Sequence, residues 1–287
     1  MDKIKKYATP TAFRRALEDR LKLLAKAEGL DIQRLLREVA FDRLLARLFS
    51  GVKAPWVLKG GYALELRIKE ARVTRDIDLV LRESLGKERG EPINEAIFEV
   101  LRSAAQQDME DFFSFVIGGV MQDLDAAPYG GARFPVEARM DGRSFVKFHI
   151  DIAAGDVVMT PLDTIEGRDW LKFAGIPAAK FPTISREQHF AEKVHAYTVP
   201  RPSVNSRVRD MVDMLLLIRS SPKLDLPLVK KAIDATFKRR KTHAMPDILN
   251  PPPADWKQRY TELALQCDLS EDLDGAFRLL DAYLKSL

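Results

Sequence analysis

The motifs KGGYAL at residues 59–64 and DIDL at residues 76–79 are the strongest indication of the fold of this chain. A short apolar run ends at Lys59, and the residues from Tyr62 onward are good helix formers. Gly60 and Gly61 therefore lie at a predicted strand-to-helix junction. Glycine lets the backbone approach a bound group closely, and the first N–H groups of a helix have no intrahelical partner. Such a junction suits an anion such as phosphate, although a Gly-Gly pair by itself is most often only a turn.

The second motif leads into a predicted strand over residues 77–81, which contains Asp78 and directly follows Asp76. Its period of two places Asp76 and Asp78 on one face and Ile77 and Leu79 on the other. Two such carboxylates are about 6–7 Å apart along a strand, which allows them to bracket a hard cation such as Mg²⁺. A solvated strand end is the alternative interpretation. The apolar surroundings favour a metal site, because buried carboxylates are unfavourable unless they are paired or metal-bound.

A third carboxylate, Asp151, lies in a predicted strand over residues 145–153. Phe148, Ile150 and Ile152 share one face of this strand, and Asp151 lies on the other face with His149. We expect Asp151 to join the acidic pair around a metal ion. An edge-strand aspartate that faces water is the alternative, because position along the chain does not show proximity.

Two later helices carry further charged candidates. Ser185 is a predicted N-cap of the first, and Lys193 flanks its apolar stripe, where it can hold phosphates as a point charge or remain a solvated lysine. The second helix is predicted over residues 207–220 and places Asp210 and Asp213 on neighbouring positions of one face. These acids can orient Lys193 or accept a proton. Alternatively, Asp213 pairs with an arginine one turn earlier.

The order and spacing of these motifs resemble the AbiEii/AbiGii family of nucleotidyltransferase toxins, a branch of the DNA polymerase β-like superfamily. The resemblance covers most of the chain and rests on residues 59–61, 72–79, 149–152, 155–156, 181–183, 191–193 and 205–213. Tyr62 departs from it, because many relatives carry Thr or Ser after the glycine pair.

The resemblance implies transfer of a nucleotide from an NTP to RNA, with a tRNA 3′ end as the expected acceptor, one or two Mg²⁺ ions and release of pyrophosphate. It further implies the toxin half of a type IV toxin–antitoxin or abortive-infection system that blocks growth, and it allows for a cognate antitoxin encoded nearby. The implied catalytic residues are Asp76, Asp78, Lys193, Asp210 and Asp213. The implied nucleotide-binding residues are Lys59, Gly60, Gly61, Thr74, Arg75, Lys193 and Arg207. The implied metal ligands are Asp76, Asp78 and Asp151.

The predicted elements form an α+β fold. Two N-terminal helices, one running from Thr9-Pro10 to Gly29 and one from Asp31 to near Gly51, precede a core of mixed strand direction with a helix near 92–106. Residues 161–182 are predicted as a connection, and helices follow from Ser185, with an interruption at residues 246–253. We therefore predict a polymerase β-like nucleotidyltransferase core within residues 1–160 and a mainly helical domain over residues 161–287.

Composition limits the remaining possibilities. The 287 residues carry a net charge of +4 with a sequence pI near 9.0. The basic residues Lys230, Lys231 and 238–241 cluster around one predicted helix. This cluster fits an RNA partner or simply a solvated surface. The single cysteine, Cys267, excludes an intrachain disulfide. Residues 1–6 lack an apolar signal core and no membrane span is expected, so we predict a cytoplasmic enzyme with no membrane partner.

Three other functions remain open. A kinase would transfer the γ-phosphate and release ADP rather than pyrophosphate. A protein-nucleotidylating (AMPylating) enzyme would use the same metal site on a protein hydroxyl. A non-catalytic RNA- or nucleotide-binding regulator would need no intact carboxylate set.

Overall fold

The chain folds into two compact units, each assembled from separate stretches of sequence. The computed structural model describes residues 7–51, 54–82, 93–124 and 127–287. The first unit comprises the chain up to Leu58 together with Thr74–Gly155 and Thr164–Thr183, and the second comprises Lys59–Val73, Asp156–Asp163 and Ile184–Leu287. The predicted single boundary at residue 160 stays a prediction about domain organisation.

The helices are α1 (Pro10–Glu28), α2 (Ile32–Leu48), α3 (Gly60–Arg67), α4 (Ile93–Ala105), α5 (Arg186–Thr198), α6 (Val208–Arg219), α7 (Leu226–Arg240), α8 (Trp256–Gln266) and α9 (Leu273–Lys285). The strands are β1 (Trp56–Lys59), β2 (Asp76–Leu81), β3 (Phe113–Ile117), β4 (Gln122–Asp123), β5 (Gly131–Met140), β6 (Arg143–Ala153), β7 (Asp163–Glu166) and β8 (Lys180–Thr183).

One mixed sheet organises the first unit. Its strand order is β3-β5-β6-β2-β1-β8-β7, and β4 pairs with β5. The pairs β2–β6 and β1–β8 are parallel, whereas β3–β5 and β5–β6 are antiparallel. The predicted α+β fold with a mixed sheet is therefore confirmed.

Alternation along the central strands separates a packed face from a polar face. In β6, Phe148, Ile150 and Ile152 are buried, as their period of two predicts. Helix α2 covers this packed face, with the Phe41 and Phe148 ring centroids 4.8 Å apart. The polar residues between them point to the other face, because successive side chains of a strand alternate.

The stretch over residues 161–182 is more than the predicted connection. It contains β7, most of β8 and a short 3₁₀ helix at Lys172–Ala174. Strand β8 lies parallel to β1, and the buried hydroxyl of Thr183 donates a 2.8 Å hydrogen bond to the Leu58 carbonyl oxygen. Four residues show few alternations, and β7 and β8 lack a Gly-Gly motif such as the one that marks the end of β1.

The second unit is built on α3 and α5–α9 around its own apolar core. Leu215, Val229, Tyr260 and Leu280 are among its fully buried members. The Ser185 side chain caps α5, as predicted, by accepting a 3.1 Å hydrogen bond from the Gln188 N–H. The predicted interruption also holds, since residues 241–255, all of which the structure describes, contain no helix.

Some predictions fall outside the described residues or at their edge. Residues 1–6 and the expected start of the helix near residue 92 lie outside them. Within residues 7–51, 54–82, 93–124 and 127–287, every helix is too short or too polar to cross a membrane.

Candidate active site

The glycine motif forms the predicted strand-to-helix junction. Helix α3 begins at Gly60 directly after β1, and Lys59 is its N-cap residue without a side-chain cap hydrogen bond. Gly60 has φ = +67°, a left-handed conformation that favours glycine. Tyr62 is fully buried, so its ring belongs to the packing of this helix.

The acidic residues occupy adjacent positions on neighbouring parallel strands of the first unit. Asp78 of β2 is in register with Asp151 of β6, and Asp76 is in register with His149. Side chains in register on adjacent strands lie on the same face of a sheet. The structure thus brings Asp76, Asp78 and Asp151 together on the polar face of the central strands.

Arg133 of β5 lies on this acidic face and extends it to a third strand. It is in register with Asp151, to which Nε and Nη2 donate hydrogen bonds of 2.7 Å and 2.8 Å, and its Nη2 lies 3.5 Å from Asp76 Oδ2. Hydrogen bonding to Asp151, followed by the charges of Asp151, Asp76 and Asp78, raises the pKa of Arg133 above its ordinary range. Within the described residues, no three Asp, Glu, His or Cys side chains converge as a metal-ligand set.

The two residues before the acidic strand differ in exposure. Thr74 is buried, and its hydroxyl donates a 3.3 Å hydrogen bond to the Asp76 carbonyl oxygen. Arg75 is exposed. Thr74 therefore helps to fix the backbone at the start of β2.

The second unit contains a buried ion network around Lys193. The Lys193 Nζ lies 2.8 Å from Asp210 Oδ1 and 2.9 Å from Asp213 Oδ2, so the predicted association of these three residues is present. Arg72 also binds Asp213 through two hydrogen bonds of 2.9 Å each. Asp213 thus has both Lys193 and Arg72 as partners.

The network shifts the pKa values of its members in opposite directions. Burial alone would lower the pKa of Lys193, but the charges of Asp210 and Asp213 raise it above its ordinary range. Burial would raise the pKa of Asp213, but Lys193 and Arg72 lower it to about 2. Arg207 precedes α6 at the edge of this network, where its Nη1 lies 3.6 Å from Asp210 Oδ2.

Lys59 belongs to a second buried network in the same unit. Its Nζ lies 2.7 Å from Asp156 Oδ2 and 3.2 Å from Glu192 Oε2. Arg240 binds the same Asp156 carboxylate through two hydrogen bonds of 3.0 Å each. Burial would lower the pKa of Lys59, but Glu192 and Asp156 raise it. The Lys59 ammonium is therefore held as a fixed cation beneath the start of α3.

Several residues of these networks have no role that the sequence alone suggests. Arg133 is not recognisable from sequence, because the strand predicted near residues 134–140 begins one residue after it and because register across strands is invisible in a single sequence. Arg72, Asp156 and Glu192 lie inside the motifs that support the family resemblance, and that position is the signal available for them. Arg240 belongs to the predicted basic surface, yet its guanidinium pairs with Asp156.

The lysines of the predicted basic cluster lie on the surface. Lys230, Lys231, Lys238 and Lys241 are exposed, whereas Arg239 is half-buried. The cluster predicted as an RNA surface is thus divided into two arginines that are at least partly buried and four exposed lysines.

The fold of this chain is similar to that of a solved structure. The chain is similar to the MenT4 nucleotidyltransferase toxin of Mycobacterium tuberculosis, with a TM-score of 0.54 and 19% identity over 91% of this chain and 93% of that one. It also matches JHP933 of Helicobacter pylori, with a TM-score of 0.46 and 16% identity over 90% of this chain and 98% of that one. No curated protein sequence matches the chain.

The family assignment comes from the sequence itself. Residues 43–285 match the family described as "Nucleotidyl transferase AbiEii toxin, Type IV TA system", and the chain belongs to this family of nucleotidyltransferases. The expected family membership and enzyme class are therefore confirmed.

Proposed function

We propose that this nucleotidyltransferase toxin transfers a nucleotide from an NTP to an RNA acceptor, a tRNA 3′ end, with Mg²⁺-dependent release of pyrophosphate and a consequent block of translation. The observation that carries the proposal is the register that places Asp78 beside Asp151 and Asp76 beside His149 on one polar face. Three carboxylates on adjacent strands are the donor set expected for a metal-dependent phosphoryl-transfer site.

Asp76, Asp78 and Asp151 would hold the metal. Their oxygen donors suit Mg²⁺, and the face already accommodates a positive group, since the Arg133 guanidinium lies against Asp151 and Asp76. A bound divalent cation would supply activation of the acceptor hydroxyl and neutralisation of the charge on the leaving pyrophosphate. The side chains are half-buried, which leaves the oxygens accessible to substrate from solvent.

Lys193 would bind the triphosphate as a fixed point charge. Its two carboxylate partners keep it protonated and immobile, so little side-chain entropy is lost when phosphate binds. Asp213, itself held by Arg72, would orient the lysine from its buried side, and Asp210 would do so from the more exposed side. Positive charge fixed before reaction is the arrangement that best stabilises charge developing on phosphate.

The start of α3 would contact phosphate through its backbone. Gly60 and Gly61 leave space for this approach, and Lys59 contributes positive charge while its ion pairs hold the turn. We assign further nucleotide contacts to Thr74, Arg75 and Arg207, of which Arg75 is exposed. We also propose that the exposed lysines of α7 bind RNA and that a cognate antitoxin neutralises the enzyme.

The proposal is tested by incubating the full chain with each α-³²P-labelled NTP, Mg²⁺ and total cellular RNA, followed by denaturing gel analysis. We expect label on tRNA-sized RNA, its loss with EDTA, and a decrease of about a hundredfold or more in Asp76→Asn and Lys193→Gln. Asp281→Asn is the matched control, because Asp281 forms an exposed pair with Lys285 on α9.

Two results would contradict this function. Label confined to protein would support the protein-nucleotidylating alternative. Folded enzyme that binds RNA but transfers no label from any NTP would support a non-catalytic regulator.

A further inference from the structure

Arg133 lies in a row of charged residues that crosses three strands of the sheet. Arg133 on β5, Asp151 on β6 and Asp78 on β2 are in register, so their side chains project from the same face. Asp76 lies two residues from Asp78 along β2 and also comes within 3.5 Å of the guanidinium. The positive charge of Arg133 therefore lies against Asp151 and Asp76, at the edge of the three carboxylates.

The Arg133–Asp151 contact uses both oxygens of the carboxylate. Nε donates to Oδ1 and Nη2 to Oδ2, at 2.7 Å and 2.8 Å. This two-point geometry is the strongest that an arginine forms with a carboxylate. It occupies the lone pairs of both oxygens that face the guanidinium. A divalent cation bound by Asp151 needs at least one of the same oxygens at a coordination distance near about 2.1 Å.

We propose that Arg133 is a built-in counter-cation of the acidic face, and that it competes with the divalent cation for Asp151. In the metal-free chain the guanidinium holds Asp151 and balances the negative charge. When a metal ion binds, the Arg133 guanidinium gives up its hydrogen bond to at least one oxygen of Asp151. The inference rests on the proposed function, because it takes Asp76, Asp78 and Asp151 as the metal ligands.

The surroundings of Arg133 allow such an exchange. Its side chain has a relative accessibility of 30%, and the side chain of Asp151 is 15% exposed. An arginine at this depth can move its head group into solvent while its aliphatic stem stays on the sheet. By contrast, Arg47 and its partner Asp111 are almost fully buried, which fixes that pair as a permanent part of the first unit.

If Arg133 and the metal ion compete for Asp151, removing Arg133 should increase the affinity for the metal ion. Removing the guanidinium raises the net negative charge of the face by one unit and frees both Asp151 oxygens. We expect Arg133→Gln to bind Mn²⁺ about tenfold more tightly than the unmodified chain, a change of about 1.4 kcal/mol. Arg133→Lys keeps the charge but lacks the planar fork, so its affinity should lie between the two.

The experiment is isothermal titration of the full-length protein with MnCl₂ in the absence of nucleotide. Arg139→Gln is the matched control, because Arg139 lies on the same strand but pairs with Glu137 at 2.8 Å. Its Mn²⁺ affinity should equal that of the unmodified chain. Asp76→Asn should lose Mn²⁺ binding, which reports on the metal site independently of Arg133.

Thermal unfolding provides a readout that a purely structural arginine would not change. Without metal, Arg133→Gln should unfold at a lower temperature than the unmodified chain, because the carboxylates lose their counter-charge. With saturating Mn²⁺ the difference should shrink or reverse. An equal decrease in Tm with and without Mn²⁺ would overturn the proposal.

The outcomes separate this inference from the proposed function. If the unmodified chain binds Mn²⁺, Asp76→Asn does not, and both Arg133 variants bind as the unmodified chain does, the competition is wrong while the metal site stands. If neither the unmodified chain nor the Arg133 variants bind Mn²⁺, the metal site and the competition are both overturned.

Discussion

Arg72 donates two parallel hydrogen bonds of 2.9 Å to the carboxylate of Asp213, a side chain with no solvent exposure. Lys193 contacts the same carboxylate at 2.9 Å. A buried carboxylate with two cationic partners is satisfied, whereas either cation left without it would be a desolvated charge. We therefore expect Asp213 to stabilise the second unit in addition to its proposed role in orienting Lys193.

Asp213→Asn should lower the free energy of unfolding by about 3 kcal/mol, because it leaves the charges of Arg72 and Lys193 under-compensated in a buried site. Urea denaturation followed by circular dichroism measures this change. The same substitution at Asp281, whose pair with Lys285 is exposed, should change stability by less than about 0.5 kcal/mol. Similar values for the two variants would show that the buried network adds no stability.

Stability should fall as the solution is acidified below neutral pH. His195 is buried, and burial followed by the charge of Arg240 lowers its pKa to about 4. An unfolded histidine has a pKa near about 6.5, so between about pH 6.5 and 4 the unfolded chain binds a proton that the folded chain does not. Each pH unit in this window should remove up to about 1.4 kcal/mol of stability.

Urea denaturation across this pH range measures the effect. His195→Gln should reduce the slope of the decline between about pH 6.5 and 4, and the buried His189, whose pKa is also lowered by burial, should contribute to the part that remains. Asp213 extends the loss to lower pH. Its pKa is lowered to about 2, so its contribution is present above about pH 4 and disappears as the pH falls towards 2. If the free energy of unfolding of His195→Gln fell with pH as steeply as that of the unmodified chain, His195 would not contribute to the decline between about pH 6.5 and 4.

Comparing Gly60→Ala with Gly29→Ala should separate the effect of backbone strain on stability from the role of Gly60 in nucleotide transfer. Gly60 and Gly29 have the same φ of +67°, a conformation that costs about 1–2 kcal/mol for residues with a Cβ. Both alanine variants should therefore lose a similar amount of stability in urea denaturation. Only Gly60→Ala should also lose nucleotide transfer, because Gly60 begins α3 whereas Gly29 ends α1. Equal activities of the two variants would remove Gly60 from the proposed site.

The exposed lysines of α7 should contribute to RNA affinity through counterion release. Lys231→Gln together with Lys238→Gln should weaken tRNA binding and lower the slope of log K against log salt concentration by roughly 0.7–0.9 for each phosphate that is no longer neutralised. Fluorescence anisotropy with labelled tRNA at several salt concentrations measures both quantities. Lys257→Gln with Lys285→Gln, on α8 and α9, is the control that removes the same charge elsewhere. Equal slopes for both double variants would contradict RNA binding by α7.

Most elements can be predicted because they depend on local patterns. Thr9, Asp31 and Ser185 cap the helices that they are predicted to begin, and the alternation in β6 gives its buried face directly. Strands β7 and β8 escape prediction, because four residues carry little periodic signal and no motif marks their ends as Gly60 and Gly61 mark the end of β1. The pairing of β8 with β1 joins residues that are distant along the chain, Leu58 and Thr183, and no local pattern specifies it.

The family, the mixed α+β class and the identity of the acidic and basic candidates follow from the amino-acid sequence, since they depend on residue types and their spacing. The folded chain adds the information about which charges meet. Asp151 joins Asp78 through strand register, Lys193 meets both acids of α6, and Lys59 and Arg240 share Asp156. The position of Arg133 beside Asp151 likewise follows from strand register. Such pairings arise when packing brings distant segments together, and burial then makes an unpaired charge unfavourable.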